Sequence, residues 1–456
     1  MNRQIRFVIF IILSLLASVG NSFAQESADA TVKNIEKIQH IIVIVLENHS
    51  FDNMFGHFPG ADGIDNAGKA ALQVDESGKP YSVLPQVMNT ESKPPVVDKR
   101  FPGNLPNKPF PIEKYVPASD ETGDLVHEFY HEQLQINGGK MDKFVAFSNA
   151  GGLAMGYYDG SKTALWKYAQ KYTLADNFFH GTFGGSFLNH MWLICACAPR
   201  FENAPKDMVI QLDKDNHVLK WGPITSDGYA VNSAFSTYNP HPLSTDKEKL
   251  LPPMDEPTIG DRLSEKNISW AWYSGGWNDA LAGKADKTFQ FHHQPFAYFK
   301  KYADGTAAKK EHLKDGADFI VDIKNDKLPA VSFYKPLGEF NLHPGYANLT
   351  NGDAHIASIL KSIEDSPAWK NTVIIVTFDE NGGYWDHVSP PKIDRWGPGS
   401  RVPTIIISPF ARKGFVDHTI YDTTSILKFI ENRYGLKPLS TRDAKVNDLS
   451  ASLLLN

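Results

Sequence analysis

The stretch Asn371-Thr-Val-Ile-Ile-Val-Thr-Phe-Asp-Glu-Asn-Gly-Gly383 decides how this chain is read. A β-branched apolar run from Asn371 to Phe378 stops abruptly at two adjacent carboxylates, Asp379 and Glu380, and two glycines follow. The run lacks clean alternation, which suits a central strand of a parallel sheet covered on both faces. Far away in the chain, Gln39 to Leu46 (QHIIVIVL) has the same character and stops at Glu47-Asn48. Two buried strands with matching acidic endings are the seed of the reading.

Working outward, further β-rich runs fall at 269–273, 330–334 and 402–408. Helical patterns separate them at 164–172, 258–266, 353–363 and 424–434. Strands alternating with helices predict an α/β fold: a doubly wound, mostly parallel sheet sandwiched by helices. Such folds place ligands at the carboxyl ends of their strands. Two stretches, 60–118 and 200–257, are rich in Pro, Gly and polar residues and break the alternation. They are read as insertions running over the rim of one catalytic domain, 25–456. No internal repeat is present.

The N-terminus predicts export. Arg3 and Arg6 precede a short apolar run, Phe7 to Val19, and Ser22-Phe23-Ala24 suits cleavage before Gln25. Residues 1–24 are therefore expected to be a cleaved signal peptide, delivering the chain to the periplasm or the medium. The run is shorter than the ~20 residues a spanning helix needs. A formal charge of −6 over 456 residues argues against a general nucleic-acid binder. No obligate protein partner is evident. The two cysteines, Cys195 and Cys197, are read as buried thiols, because residues two apart point in different directions on a helix or a strand.

Four local patterns carry chemistry. Glu47-Asn48 and Asp379-Glu380 offer oxygen ligands to a hard cation. Each also reads as a capped or solvated turn, but two adjacent carboxylates at a strand end repel unless a cation intervenes. Gly184-Gly185-Ser186 precedes an apolar helix-like stretch, placing a hydroxyl near backbone N–H groups that favour phosphate; a plain helix cap is the competing reading. Several histidines complete the set: His127 in Asp124-Leu-Val-His127, the pair His292-His293, and His343 after the strand at 330–334. Imidazoles bind phosphoryl oxygens or protonate a leaving group. His190 and His387 are further candidates. Spacing alone does not single these residues out.

Together the motifs resemble the bacterial phospholipase C and acid phosphatase family within the alkaline phosphatase superfamily. The resemblance runs from about Gln39 to Tyr434. It rests on Glu47-Asn-His-Ser-Phe-Asp52, Asp124-Leu-Val-His127, Gly138-Gly-Lys-Met-Asp-Lys-Phe144, Asp176-Asn-Phe178, Gly184-Gly-Ser-Phe-Leu-Asn-His190, His292-His-Gln-Pro-Phe296, Asn341-Leu-His-Pro344, and Thr377 to Gly383 with Asp386-His-Val388.

The resemblance implies an α/β sandwich and a phosphoric ester hydrolase. It implies one divalent metal ion, whether zinc, calcium, magnesium or manganese, held by Glu47, Asn48, Asp379, Glu380 and the Ser186 oxygen. Ser186 matches the nucleophile, which would pass through a phosphoserine. His127 and His343 match residues that hold phosphoryl oxygens or assist the leaving group, and His293 matches with its neighbour His292 competing. The expected substrate is a phospholipid or a small phosphate ester, with transient contact to a membrane surface. Phospholipase C members tend to carry Thr at the nucleophile and Asn-Arg shortly after, whereas Ser186 and Asn189-His190 are more similar to the acid phosphatase branch. Export tips the expectation slightly toward phospholipase C cleavage of glycerophospholipids. The alternatives are an acid phosphatase for soluble phosphomonoesters and, more remotely, a non-catalytic exported metal-binding protein.

Overall fold

The computed structural model describes residues 34–455. The expected signal peptide and its cleavage site lie outside them. An eight-stranded sheet forms the centre. In chain order its strands are β1 (His40–Leu46), β2 (Thr173–Ala175), β3 (Trp270–Ser274), β4 (Leu313–Asp315), β5 (Val331–Lys335), β6 (Thr372–Phe378), β7 (Thr404–Ile407) and β8 (Phe415–Asp417). Across the sheet the order is β4-β3-β5-β1-β6-β7-β2-β8. The pairings are parallel from β4 through to β6 and between β2 and β8; β7 alone runs antiparallel to both neighbours.

Six of the seven β1 residues and all seven of β6 are buried. Both faces of these strands are therefore covered, which is why neither sequence alternates. The covering helices are α1 (Ala164–Lys171), α2 (Ser186–Cys195), α3 (Ile259–Glu265), α4 (Gly316–Lys324), α5 (Leu349–Glu364) and α6 (Thr423–Tyr434). They fall into two mutually touching groups, α1 with α5 and α4, and α2 with α6 and α3. The result is an α/β fold with a mixed, mostly parallel sheet flanked by helices.

Neither long excursion adds a strand to this sheet; the first carries a two-stranded ribbon, Met88–Asn89 with Val96–Val97, and a short strand, Phe110–Pro111, paired with Gly156–Tyr157, and the second carries the ribbon Gln211–Leu212 with Val218–Lys220. Among the described residues no helix is long and apolar enough to cross a membrane. One expectation is overturned: Cys195 and Cys197 form a disulfide rather than two free thiols. The residue between them, Ala196, adopts left-handed φ/ψ of 47° and 41° as the C-cap of α2. That reversal brings together two side chains that a regular helix or strand would separate, with Cα atoms 5.1 Å apart.

Candidate functional site

Strand order builds the floor of the site. β1 and β6 are neighbours, in register Leu46 to Phe378, so their acidic endings emerge side by side. The ladder continues one step further, with Asp379 N–H donating to Leu46 O at 3.0 Å. Asn48 then turns the chain with φ at +63°, a left-handed conformation that Asn tolerates better than most residues. Its N–H donates to Asp379 Oδ1 at 3.3 Å, tying the two endings together. Gly382 lets the second ending pass under the first: φ is +62°, and a Cβ there would meet Asn48 O at 2.4 Å.

Ser186 is the first residue of α2, with Gly185 as N-cap. The loop before it is held by Glu132, a buried carboxylate that accepts from Gly184 N–H at 2.7 Å, Ser400 N–H at 2.9 Å and His180 Nε2 at 2.8 Å. Burial would raise Glu132, yet the His180 charge keeps it below the usual carboxylate range. So anchored, Ser186 Oγ lies 3.4 Å from Glu47 Oε2, 3.4 Å from Asn48 Oδ1 and 3.5 Å from Glu380 Oε1. These separations exceed those of good O–H···O bonds, so the hydroxyl is committed to none of the three oxygens around it.

The histidines arrive from three directions. His127 and His343 each direct Nδ1 at a backbone carbonyl, Leu125 O and Pro344 O, both at 2.5 Å. Their Nε2 atoms face Asn48 Nδ2 at 3.3 and 3.0 Å. Burial alone would depress His127, but the Glu380 and Asp124 carboxylates lift it to about 9. The neighbouring pair divides: His292 lines the cleft, and His293 turns inward onto Glu47 Oε1. His190 packs behind them with its ring stacked on His293, and its Nδ1 is bonded to Ser186 O. Burial holds His190 well below the ordinary imidazole range.

His387 is not brought to this cluster. It contacts Asp52 Oδ2 at 2.7 Å and Asp62 Oδ1 at 3.3 Å in a separate ionic network centred on Arg401. Lys335, by contrast, was not singled out from the sequence. This last residue of β5 is fully buried, with Nζ 2.7 Å from Glu47 Oε1 and 3.5 Å from Asp379 Oδ2. The signal was there: a charged residue ending an apolar strand is the pattern that drew attention to Glu47 and Asp379.

Three buried carboxylates, an amide oxygen and a hydroxyl thus converge. Burial pushes Glu380 up to about 8 despite His127, and burial together with Glu47 raises Asp379 despite Lys335. Glu47 alone is held well below its usual range, where His293 and Lys335 outweigh burial. Protein charges therefore leave the cluster short of positive charge on the Ser186 side. A hard divalent cation matches both the shortfall and the all-oxygen donor set. Above it opens a cleft of about 360 Å³, walled by Asp124, Glu128, Tyr346, Phe187 and, from the second excursion, Trp221 and Asn232.

The phosphoesterase family model matches residues 38–437. Phospholipase C B of Mycobacterium tuberculosis is 25% identical over an alignment covering 92% of this chain and 78% of that protein. The non-hemolytic phospholipase C of Pseudomonas aeruginosa is 21% identical, over 88% of this chain and 55% of its own length. Among solved structures, a phosphonate monoester hydrolase from Silicibacter pomeroyi superposes with a TM-score of 0.33 at 10% identity, covering 63% of this chain and 71% of that one. A match over this span, on a chain whose strand ends assemble a divalent-cation site, means that the protein belongs to the phosphoesterase family and is a metal-dependent phosphoric ester hydrolase.

Proposed function

We propose that Ser186 is the nucleophile and that hydrolysis passes through a phosphoserine. The observation that carries this reading is the position of Ser186 Oγ, at a helix start on the cleft floor and 3.4–3.5 Å from Glu47, Asn48 and Glu380. Glu47, Asn48, Asp379, Glu380 and Ser186 Oγ would hold the cation. When bound, it favours the serine oxyanion and offsets phosphate charge.

The chain's own groups do the rest. Backbone N–H groups at the start of α2 receive phosphoryl oxygens, and His343 and Asn48 flank them. Ser186 Oγ, entering as the oxyanion after losing its proton to solvent, bonds to phosphorus as the ester P–O bond opposite breaks. The leaving oxygen takes a proton from His127, whose protonated form the Glu380 and Asp124 carboxylates favour against burial. Water then attacks phosphorus, gives its proton to neutral His127, and Ser186 leaves as the oxyanion. His293 holds Glu47 in place, and His292 faces the incoming ester.

The substrate reading leans toward a phospholipid headgroup. Trp221 lines the cleft and is 51% exposed, and Leu219, two residues before it in the chain, is 69% exposed, so an apolar surface approaching the cleft would meet them. The phospholipase C relatives are consistent with it, as is an exported chain built from residues 25–456 as one unit. A soluble phosphomonoester is the second reading, favoured by the modest size of the cleft.

The test is a substrate panel of phosphatidylcholine vesicles and a chromogenic phosphomonoester, with and without chelator, on wild type and Ser186→Ala. Chelation should abolish turnover, and Ser186→Ala should lower it by about a thousandfold or more. Acid-quenched wild type should yield a phosphorylated Ser186 peptide. Full turnover by Ser186→Ala overturns the mechanism; turnover of the monoester alone moves the substrate to the second reading.

A further inference from the structure

Glu47 faces two ways. Its Oε2 looks toward Ser186 Oγ, while its Oε1 looks away from the cleft toward Lys335 Nζ at 2.7 Å. Asp379 is divided likewise, with Oδ1 accepting from Asn48 N–H and Oδ2 lying 3.5 Å from Lys335 Nζ. Both carboxylates are thus divided between the Ser186 side and an ammonium, and paired-metal phosphatases set two positive centres about 3.5–4 Å apart. On the Lys335 side the surrounding groups are themselves of ligand type: Glu47, Asp379 and His190 present atoms within 4.8 Å of one another, and His293 Nε2 contacts the same Glu47 oxygen. Lys335 is fully buried and does not line the cleft, so it is not placed to touch substrate.

We propose that the Lys335 ammonium is a built-in substitute for a second metal ion, so that this site operates with a single divalent cation. Lys335 is thus a positioning residue: it fixes the outer oxygens of Glu47 and Asp379 and leaves their inner oxygens to the Ser186 side. The inference rests on the cation-site reading of the preceding section.

The experiment measures metal rather than turnover alone. Wild type, Lys335→Ala, which opens the space, and Lys335→Met, which fills it without charge, are loaded with manganese(II) and desalted. Metal is counted by elemental analysis, and affinity is read by competition with a chromogenic chelator. Wild type should hold one equivalent. Lys335→Ala should rise toward two. Lys335→Met should stay at one but bind it at least tenfold more tightly, because the neighbouring positive charge is gone. The proposal is overturned if both variants hold one equivalent at wild-type affinity, or if Lys335→Ala folds but loses its ion. Should Lys335→Ala not fold, the Lys335→Met affinity decides: tighter binding supports the proposal, and equal or weaker binding overturns it. Wild type without a stoichiometric ion would sink the cation-site reading itself, a distinct result.

Discussion

Replacing Arg401 with Met should destabilise the protein by about 3–5 kcal/mol, the usual cost of removing one partner from a buried ion pair. Arg401 is fully buried. Its Nε donates to Asp386 Oδ1 at 2.8 Å, its Nη2 reaches Asp386 Oδ2 and Asp52 Oδ1, both at 3.2 Å, and its Nη1 donates to the carbonyls of Asp62 and Asp176 at 2.8 Å. Methionine would keep much of the packing against the Phe51 ring but leave Asp386 without its cation and Asp52 with His387 alone. With an unfolding entropy of about 2.1 cal/mol/K per residue over roughly 420 residues, that cost lowers Tm by about 3–6 °C. Activity should fall further than stability explains, because Asp52 follows the Glu47-Asn48 ending and Asp386 follows Asp379-Glu380. Arg401 clamps the two ligand-bearing turns together. The assay is calorimetry beside metal titration on Arg401→Met and on the triple variant Asp52→Asn, Asp386→Asn, Arg401→Met. If unpaired charge is the cause, the triple variant recovers stability relative to the single one. A triple variant no more stable than Arg401→Met would refute the reasoning.

Other consequences are simpler to state. Glu132 is held below its usual range, so its contribution is present above about pH 4.3 and lost as pH falls through its depressed folded value; His180 is raised above its usual range by Glu132, though burial opposes this, so its contribution is present below about pH 6.5 and lost as pH rises through its elevated one. Stability measured by urea titration should therefore be greatest between those limits, and Glu132→Gln should flatten both limbs. Gly184→Ala should cost about 2–4 kcal/mol, since φ is +85° and the new Cβ would sit 2.5 Å from Phe129 N; thermal melts and kcat should both fall as the Ser186 loop shifts. Trp221→Ala with Leu219→Ser should lower turnover on phosphatidylcholine vesicles several-fold while leaving a soluble phosphomonoester nearly unaffected, if the rim meets lipid. Equal losses on both substrates would assign the pair to cleft structure instead.

Local signals carried much of this architecture. The apolar runs ending in Leu46 and Phe378 were legible because burial on both faces erases alternation, and helices at 164–171 and 423–434 were legible from their apolar spacing. Gly184-Gly185-Ser186 read correctly as a helix start. Three things were not legible. Strand order, which makes β1 the neighbour of both β5 and β6, arises from crossovers that leave no local trace. The Cys195–Cys197 bridge depends on one left-handed residue, Ala196, and alanine gives no hint of that conformation. The division of labour between His292 and His293 depends on which ring reaches Glu47, a matter of one backbone turn.

Strand order also explains why the chemistry takes this form. β5, β1 and β6 lie side by side, and adjacent strands are about 4.8 Å apart. Register aligns Ile44 with Tyr334 and Leu46 with Phe378, so Lys335, Glu47 and Asp379 emerge near one another along a single sheet edge. A row of one positive and two negative side chains is thus written into the parallel topology before any loop is added. Glu380 and Asn48 then join the row from the turns that follow the strands, and Ser186 and His190 arrive together, one turn apart on α2. The asymmetry follows directly: the Lys335 side of the row already carries its positive charge, so the remaining demand for a cation falls on the side that opens to the cleft, beside the Ser186 hydroxyl that meets Glu47 and Glu380.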